Sequence, residues 1–489
     1  MRKYITKKGD KLENTAVNEV KSDNFKRTLN VFDATAIVTG AMIGSGIFIV
    51  SAQIARDVNS PALLLLTWLT AGVMAIMAAL TYGEFAASWP DAGGQYVYIK
   101  RIWGEVAGFV YGWSLFLVIH TGTIAAVSVA FSKFAGVLFP FINSSNVLLN
   151  IFGVTLTTQK LLAIITILGI TILNARGVKE GALTQNIFTV AKILALVGII
   201  ICGITLGMKP DVIHANFSNF FTLPDLGGMS PISAVAVAMV GAIFAANYWY
   251  TVTFIAGEIK RPERNIPMSL MIGTGMVILL YLLTNFAYLS VLTVPQIQKV
   301  PDDIVGAAFI QALLGSGGQV LIAIIILVSA FGCLNGLVLT GARVYYAMAK
   351  DGLFFKKLAV LCEKSNTPEN SLYFQCLWSS LLVMSGSYSQ LLEYEIFAAL
   401  LFYIFVIAGI FVFRKKYHDI PRPYKALGYP VIPVIYCLLA ATVAINLLIY
   451  RPNTTWPGLL IIMTGLPVYL FWKKPAKAKL EQEPSAVNE

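Results

Sequence analysis

Residues 40–47 read Gly-Ala-Met-Ile-Gly-Ser-Gly-Ile, and they lie inside the first long apolar run of the chain, Val31–Val58. Glycine in a helix interior costs about 1 kcal/mol relative to alanine, so three glycines and a serine within eight residues weaken the helix here. In a lipid bilayer a helix tolerates such a break only where the freed backbone groups find other partners. The stretch therefore predicts a membrane helix that unwinds near its centre.

The composition supports a membrane setting. Of the 489 residues, 57% are hydrophobic and 12% are charged, and the mean hydropathy is +0.73. Soluble proteins carry roughly 25% charged residues, so soluble domains are excluded. The net charge of +11 does not indicate a nucleic-acid partner, because Lys and Arg stand in short loops and never form a cluster that alternates with aromatic residues.

Apolar runs of about 20 residues predict membrane-crossing helices. The chain contains twelve of them, so we predict an all-α polytopic membrane protein with twelve transmembrane helices. The runs are Val31–Val58, Pro61–Ser88, Gly104–Val137, Lys160–Asn174, Leu183–Leu206, Ile232–Ile255, Pro267–Val294, Gln319–Lys350, Leu372–Ser385, Leu391–Phe413, Tyr429–Tyr450 and Trp456–Trp472.

Lys and Arg are concentrated in alternate loops and in the two tails, residues 1–30 and 473–489. Positive residues stay on the cytoplasmic side of a membrane. We therefore expect a multi-pass protein of the plasma (inner) membrane with both termini in the cytoplasm. The first thirty residues lack the apolar core and cleavage site of a signal peptide, so the first apolar run serves as its own insertion signal.

A second interruption lies about 200 residues after the first. Residues 241–248 read Gly-Ala-Ile-Phe-Ala-Ala-Asn-Tyr, inside the sixth apolar run. Paired breaks at the same place in two sets of five helices are typical of inverted-repeat transporters with a binding site at the membrane midplane. The repeats would be residues 31–208 and 232–414, followed by two helices in 429–472. The alternative for Gly-Ser-Gly alone is close helix packing.

Several motifs resemble the amino acid–polyamine–organocation (APC) superfamily: Ile43–Phe48, Tyr82–Glu84 with Pro90–Tyr98, and Glu258–Pro267. Gln185–Lys192 and Phe331–Gly336 resemble its L-amino-acid transporter (LAT) branch, in a prokaryotic form. The resemblance implies a LeuT-type fold with a 5+5 inverted repeat and two C-terminal helices. It also implies transport of an amino acid.

The resemblance places a substrate at the two breaks. Its carboxylate would be held by the backbone N–H groups of Ser45, Gly46 and Ile47, and its ammonium by the carbonyl groups of Met42, Phe244, Ala245 and Asn247. Phe244 would also cover the site from outside. A zwitterion needs partners for both charges, and freed N–H groups at a helix start suit a carboxylate. Neither break contains a charged side chain, which favours a neutral substrate headgroup.

This chain departs from the family pattern at three places. Asn247 and Tyr248 stand where smaller side chains are usual before the tryptophan, so we expect a pocket for small or mid-sized substrates. Cys333 replaces a serine. The loop 139–159 lacks the cysteine through which animal members link a glycoprotein, so no disulfide-linked partner is expected. Amino-acid substrate and membrane lipid are the expected partners.

Ionisable residues within apolar runs are functional candidates. Lys192 lies well inside the fifth apolar run, Leu183–Leu206, and the resemblance implies that its ammonium replaces a sodium ion between the first and eighth helices, near Ile43 and Cys333. A structural hydrogen bond is the alternative. His120, beside Thr121, would carry a proton or simply form a buried hydrogen bond. Glu84 and Glu258 are expected to form ion pairs rather than to bind substrate.

We therefore expect sodium-independent exchange of neutral L-amino acids by alternating access. Proton-coupled symport on the same fold is the alternative. A membrane-embedded enzyme is a more distant one, because it needs converging catalytic groups that the apolar runs lack. No GxxxxGK[ST] loop for nucleotide occurs. The five cysteines show no metal-ligand spacing, so neither metal nor cofactor is expected.

Overall fold

The computed structural model describes residues 25–151, 154–385 and 388–472, and helices make up most of them. The α-helices in chain order are α1 (Val31–Met42), α2 (Gly46–Val58), α3 (Pro61–Ser88), α4 (Gln95–Trp103), α5 (Glu105–Ser114), α6 (His120–Leu138), α7 (Thr158–Arg176), α8 (Val178–Thr205), α9 (Pro210–Phe217), α10 (Pro231–Ala245), α11 (Pro262–Val291), α12 (Val294–Gln298), α13 (Val305–Leu314), α14 (Gly318–Lys350), α15 (Glu369–Ser385), α16 (Tyr388–Lys416), α17 (Val431–Tyr450) and α18 (Pro452–Trp472).

Short segments complete the chain. A π-helical turn, Leu115–Ile119, joins α5 to α6, and a 3-10 segment, Trp249–Glu258, follows α10. Further 3-10 turns are Pro301–Asp303, Gly315–Gly317 and Lys356–Ala359. The strands β1 (Val147–Ile151) and β2 (Val154–Thr157) pair antiparallel in the loop between α6 and α7. The sequence pattern did not predict this hairpin.

Local sequence explains where the first helices begin. The side chain of Asn30 accepts hydrogen bonds from the N–H groups of Phe32 and Asp33, and the Asn30 N–H donates to the Asp33 carboxylate, which completes a capping box before α1. At the start of α3 the side chain of Ser60 accepts a hydrogen bond from the N–H group of Leu63, with Pro61 at the first helical position. Both helices then continue as apolar runs into the bundle.

The bundle confirms an all-α, multi-pass membrane protein. Ten described helical segments are long and apolar enough to cross a membrane, or eleven if the bent pair α1 and α2 counts as one. The predicted count was twelve. The difference lies in α15, which matches the ninth predicted run but has 17 residues, whereas an upright crossing needs about 20.

The interrupted helices lie at the centre of the bundle. α1 packs against α8, α11 and α14, and α10 packs against α2 and α3. The long helices α3 and α11 also pack along each other. The predicted tail residues 1–24 and 473–489 lie outside the described part of the chain.

Candidate functional site

The first break separates α1 from α2. α1 ends at Met42, α2 begins at Gly46, and the two axes differ by 42°. The last carbonyl groups of one helix and the first N–H groups of the next therefore lack intrahelical partners. No described side chain caps the start of α2. Its N–H groups, including those of Gly46 and Ile47, carry the partial positive charge that suits a carboxylate.

The second break separates α10 from the 3-10 segment. Tyr248 adopts the left-handed conformation, with φ of 68°. Its N–H group donates to the side-chain Oδ1 of Asn247 at 2.9 Å, and the hydroxyl of Tyr403 donates to the same oxygen. The Asn247 side chain thus fixes a backbone turn that a bulky residue rarely adopts.

The two breaks lie against each other. A Cβ atom added to Gly46 would stand 2.9 Å from the Cβ of Ala245. The hydroxyl of Tyr281, from α11, lies 3.0 Å from the carbonyl oxygen of Met42 and 3.2 Å from that of Ala245. Both carbonyls belong to the predicted ammonium site. A tyrosine within an apolar helix gave no sequence signal for this bridge.

Lys192 lies at the junction of α1, α8 and α14. Its Nζ atom donates to the carbonyl oxygens of Gly40 and Ile43, both at 2.7 Å, and lies 3.3 Å from the carbonyl oxygen of Ser329. Its side chain is buried. The ammonium therefore sits on the freed end of α1, where the partial negative charge of a helix C-terminus favours a cation.

Two side chains of α14 also bind the first break. The hydroxyl of Ser329 lies 3.0 Å from the carbonyl oxygen of Gly44, and the thiol of Cys333 donates to that of Ala41 at 3.1 Å. Lys192 thus contacts Ser329, one helical turn before the predicted Cys333. Ser329 carried no signal in the sequence pattern.

His120 and Thr121 form no hydrogen bond with either break in the described structure. Nε2 of His120 lies 2.8 Å from the carbonyl oxygen of Leu337, so that nitrogen carries a hydrogen. The Thr121 hydroxyl donates to the carbonyl oxygen of Phe116 within its own helical segment. These contacts match the structural alternative for His120.

A buried carboxyl group that the sequence analysis did not single out stands beside the second break. Glu395 of α16 is 1% exposed. Oε2 lies 2.6 Å from the hydroxyl of Thr123, Oε1 contacts the hydroxyl of Tyr248, and the side-chain amide of Asn247 donates to Oε1 at 3.3 Å. An ionisable residue near the start of the tenth apolar run was the available signal.

A cavity lies on one side of the two breaks, and Phe244 stands between the cavity and the breaks. This cavity of about 280 Å³ extends to the C-terminal end of α10, and Phe244 forms part of its wall. The other lining residues come mainly from α2, α10, α16, α17 and α18, and include Ile396 and Phe397. We call this space the outer cavity. It lies on the side where α2 ends.

The opposite face, on which α1 begins, is closed. The guanidinium of Arg343 forms an ion pair with Glu258 at 2.7 Å, and both side chains are fully buried. The backbone of Leu29 pairs with the Glu258–Lys260 segment. Arg414 forms a second ion pair with Glu84 at 2.6 Å. The predicted ion pairs of both glutamates are therefore confirmed.

A bundle of membrane-crossing helices, two of them broken and joined at its centre, defines a solute transporter. Residues 29–470 match the family model described as amino acid permease. The chain belongs to this family, within the APC superfamily, and is an LAT-like amino-acid transporter rather than an enzyme.

Individual relatives agree. The large neutral amino acids transporter small subunit 2 of Mus musculus is 32% identical over 461 residues, covering 92% of this chain and 82% of the relative. The b(0,+)-type amino acid transporter 1 of Mus musculus is 28% identical, covering 94% and 91%. The serine/threonine exchanger SteT of Bacillus subtilis is 28% identical, covering 92% and 98%.

Proposed function

We propose that this transporter exchanges one neutral L-amino acid for another without sodium, by alternating access. The observation that carries the proposal is the position of Lys192, whose ammonium bonds two carbonyl groups of the first break. Because the Lys192 ammonium already supplies a positive charge between α1 and α14, no sodium ion is needed at this junction. Among the relatives, SteT is named an exchanger.

The substrate would lie across both breaks. We place its carboxylate on the N–H groups at the start of α2, from Ser45, Gly46 and Ile47. We place its ammonium on the carbonyl groups of Met42, Phe244, Ala245 and Asn247. Two of those carbonyls now accept the Tyr281 hydroxyl, and each retains a second lone pair. The broken helices therefore supply partners for both charges of a zwitterion.

The substrate side chain would be small or mid-sized. Tyr248 and Glu395 extend toward Thr123, and their contacts fill the space between α6 and α16 beside the second break. Little room for a large side chain remains in that direction. The names of two relatives, one for large neutral amino acids and one for serine and threonine, mark the upper and lower ends of the substrate sizes to be tested.

The outer cavity and the closed opposite face correspond to one end of an alternating-access cycle. The moving halves would be residues 31–208 and 232–414, which contribute one break each, with residues 429–472 outside the repeat. We place both termini in the cytoplasm and the protein in the plasma (inner) membrane. We also propose that it works without a disulfide-linked partner, because residues 139–159 contain no cysteine.

One experiment tests the proposal. Purified protein in proteoliposomes is offered a panel of labelled amino acids, with and without internal amino acid, sodium and a pH gradient. We expect uptake of neutral amino acids that requires an internal amino acid and is unchanged by sodium. Uptake driven by the pH gradient without internal amino acid would favour proton-coupled symport instead. Strict sodium dependence would contradict both.

A further inference from the structure

Glu395 is an ionisable side chain buried inside the helix bundle. A carboxylate inside a membrane protein is strongly unfavourable unless a cation pairs with it. Among the described residues, no Lys or Arg forms a hydrogen bond or ion pair with this side chain. Its sequence neighbours Ile396 and Phe397 line the outer cavity, so the cavity wall begins one residue away along the chain.

The hydrogen bonds of this cluster indicate a proton on the carboxyl group. Four oxygen–oxygen contacts hold the cluster together: Thr123 to the carbonyl oxygen of Ile119, Thr123 to Tyr248, Thr123 to Glu395, and Tyr248 to Glu395. Each contact needs a hydrogen between its oxygens, and the two hydroxyl groups supply only two. A protonated Glu395 supplies a third, so the neutral carboxyl satisfies more of the cluster than the carboxylate does.

The titratable groups next to the cluster supply no positive charge, and the Lys192 ammonium, on the other side of Cys333, is bound by the carbonyl oxygens of Gly40 and Ile43. His120 of α6 is held by its bond to Leu337, and its ring lies 6.1 Å from that of Tyr248. The other titratable groups near the cluster are neutral in their ordinary forms. They are Tyr248 and Tyr250 of the 3-10 segment, Tyr403 of α16, Cys333 of α14, and, farther out, Tyr82 of α3, Tyr111 of α5 and Tyr436 of α17.

We propose that Glu395 holds a proton in the empty transporter and releases it to the outer cavity when the substrate ammonium binds at the second break. This inference rests on the proposed function, specifically on the ammonium lying at the carbonyl group of Asn247. The side-chain amide of the same residue contacts Glu395. The bound ammonium and the carboxyl group are therefore neighbours in a medium that screens charge weakly.

The step is a simple proton transfer. The O–H bond of the Glu395 carboxyl breaks, its proton passes to water, and the carboxylate that remains attracts the substrate ammonium. The proton and the substrate therefore compete. A bound proton lowers the apparent affinity for the amino acid, and a bound amino acid lowers the apparent affinity for the proton by the same factor. Amino-acid affinity should therefore weaken as pH falls, by up to about tenfold per pH unit for one released proton.

The test uses wild-type protein, Glu395→Gln and a control, Glu180→Gln, which removes an exposed carboxylate on α8. Glutamine resembles the protonated carboxyl and cannot release a proton. Binding of a neutral amino acid is measured at several pH values, with proton release recorded in weakly buffered solution. Infrared spectra of the substrate-free proteins are recorded for the carbonyl band of a protonated carboxylic acid.

We expect wild type and Glu180→Gln to show the infrared band, to release a proton on binding and to bind more weakly at low pH. Glu395→Gln should lack all three properties. A wild type without the band, or a Glu395→Gln protein with unchanged proton release, overturns the inference. If no amino acid binds the wild type, the proposed substrate fails, and the infrared band alone decides whether Glu395 holds a proton.

Discussion

The Nζ atom of Lys192 lies 2.7 Å from the carbonyl oxygen of Ile43, the residue at which the first membrane helix breaks. A lysine cannot leave its site as a dissolved ion does. It therefore links α8 to the broken helix through a side chain that stays attached to the protein, and it satisfies a carbonyl group that the break has freed. Any movement of α1 against α8 has to carry this contact along or break it.

Replacing Lys192 with alanine should impair transport far more than it reduces the amount of protein in the membrane. Hydrogen bonds to a charged group contribute about 1.5–3 kcal/mol each, so the loss of two should slow uptake by at least about tenfold. Uptake per molecule of protein in the membrane is the measurement. Lys179→Ala removes an exposed lysine from the same helix and is the control. Wild-type uptake that requires sodium, or a Lys192→Ala protein with normal uptake, contradicts the assigned role.

Gly46→Val should prevent substrate binding without unfolding the protein. The new Cβ would stand 2.9 Å from that of Ala245, and a β-branched side chain would crowd the N–H groups of α2. We expect substrate to lose its stabilising effect in a thermal-shift assay. Gly198→Val is the matched control, because a Cβ there meets nothing within 4 Å. A Gly46→Val protein that binds normally would exclude this carboxylate site.

Tyr281→Phe removes only the hydroxyl that bridges the two breaks. In the empty protein this leaves carbonyl groups of Met42 and Ala245 without that donor, at a cost of about 1–3 kcal/mol. Because the substrate ammonium supplies a new donor, we expect a lower melting temperature without substrate and a larger stabilisation with it. Tyr288→Phe is the control on the same helix, since the Tyr288 hydroxyl has no described partner. Equal shifts for both variants would refute the shared carbonyl site.

Cys362 tests the orientation of the chain. It lies between a 3-10 turn and α15, in a partly exposed loop that we place in the cytoplasm. A membrane-impermeant maleimide should label it only after cells are permeabilised, and the Cys362→Ser protein identifies the signal. Adding Phe221→Cys to that protein places a thiol at a position that is 90% exposed on the other side, and it should react in intact cells. The reverse pattern means an inverted topology.

The sequence indicated the two breaks and the buried lysine because each departs locally from an apolar helix: Gly and Ser in residues 40–47, and a charge at Lys192. Glu395 carried the same kind of signal, a charge within an apolar run, but nothing in the sequence indicated its partners or the bridge formed by Tyr281. The importance of both residues depends on which helix faces them, and periodicity along one helix does not reveal its neighbours. The short length of α15 was visible in the sequence, since the ninth run, Leu372–Ser385, is already shorter than an upright crossing and α15 extends it only back to Glu369.

The buried ion pair of Glu258 and Arg343 bears on the step of the proposed alternating-access cycle in which the closed face would open. While the face around it is closed, the two charges neutralise each other without water. If that face opens in the proposed alternating-access cycle, both charges would become hydrated together, and their solvation would compensate for the contact that is lost. Two apolar side chains of the same volume could stabilise the closed face equally well, but their exposure to water would be unfavourable. The ion pair would thus stabilise the closed face while water is excluded, and it would add little to the free energy of opening once water reaches both side chains.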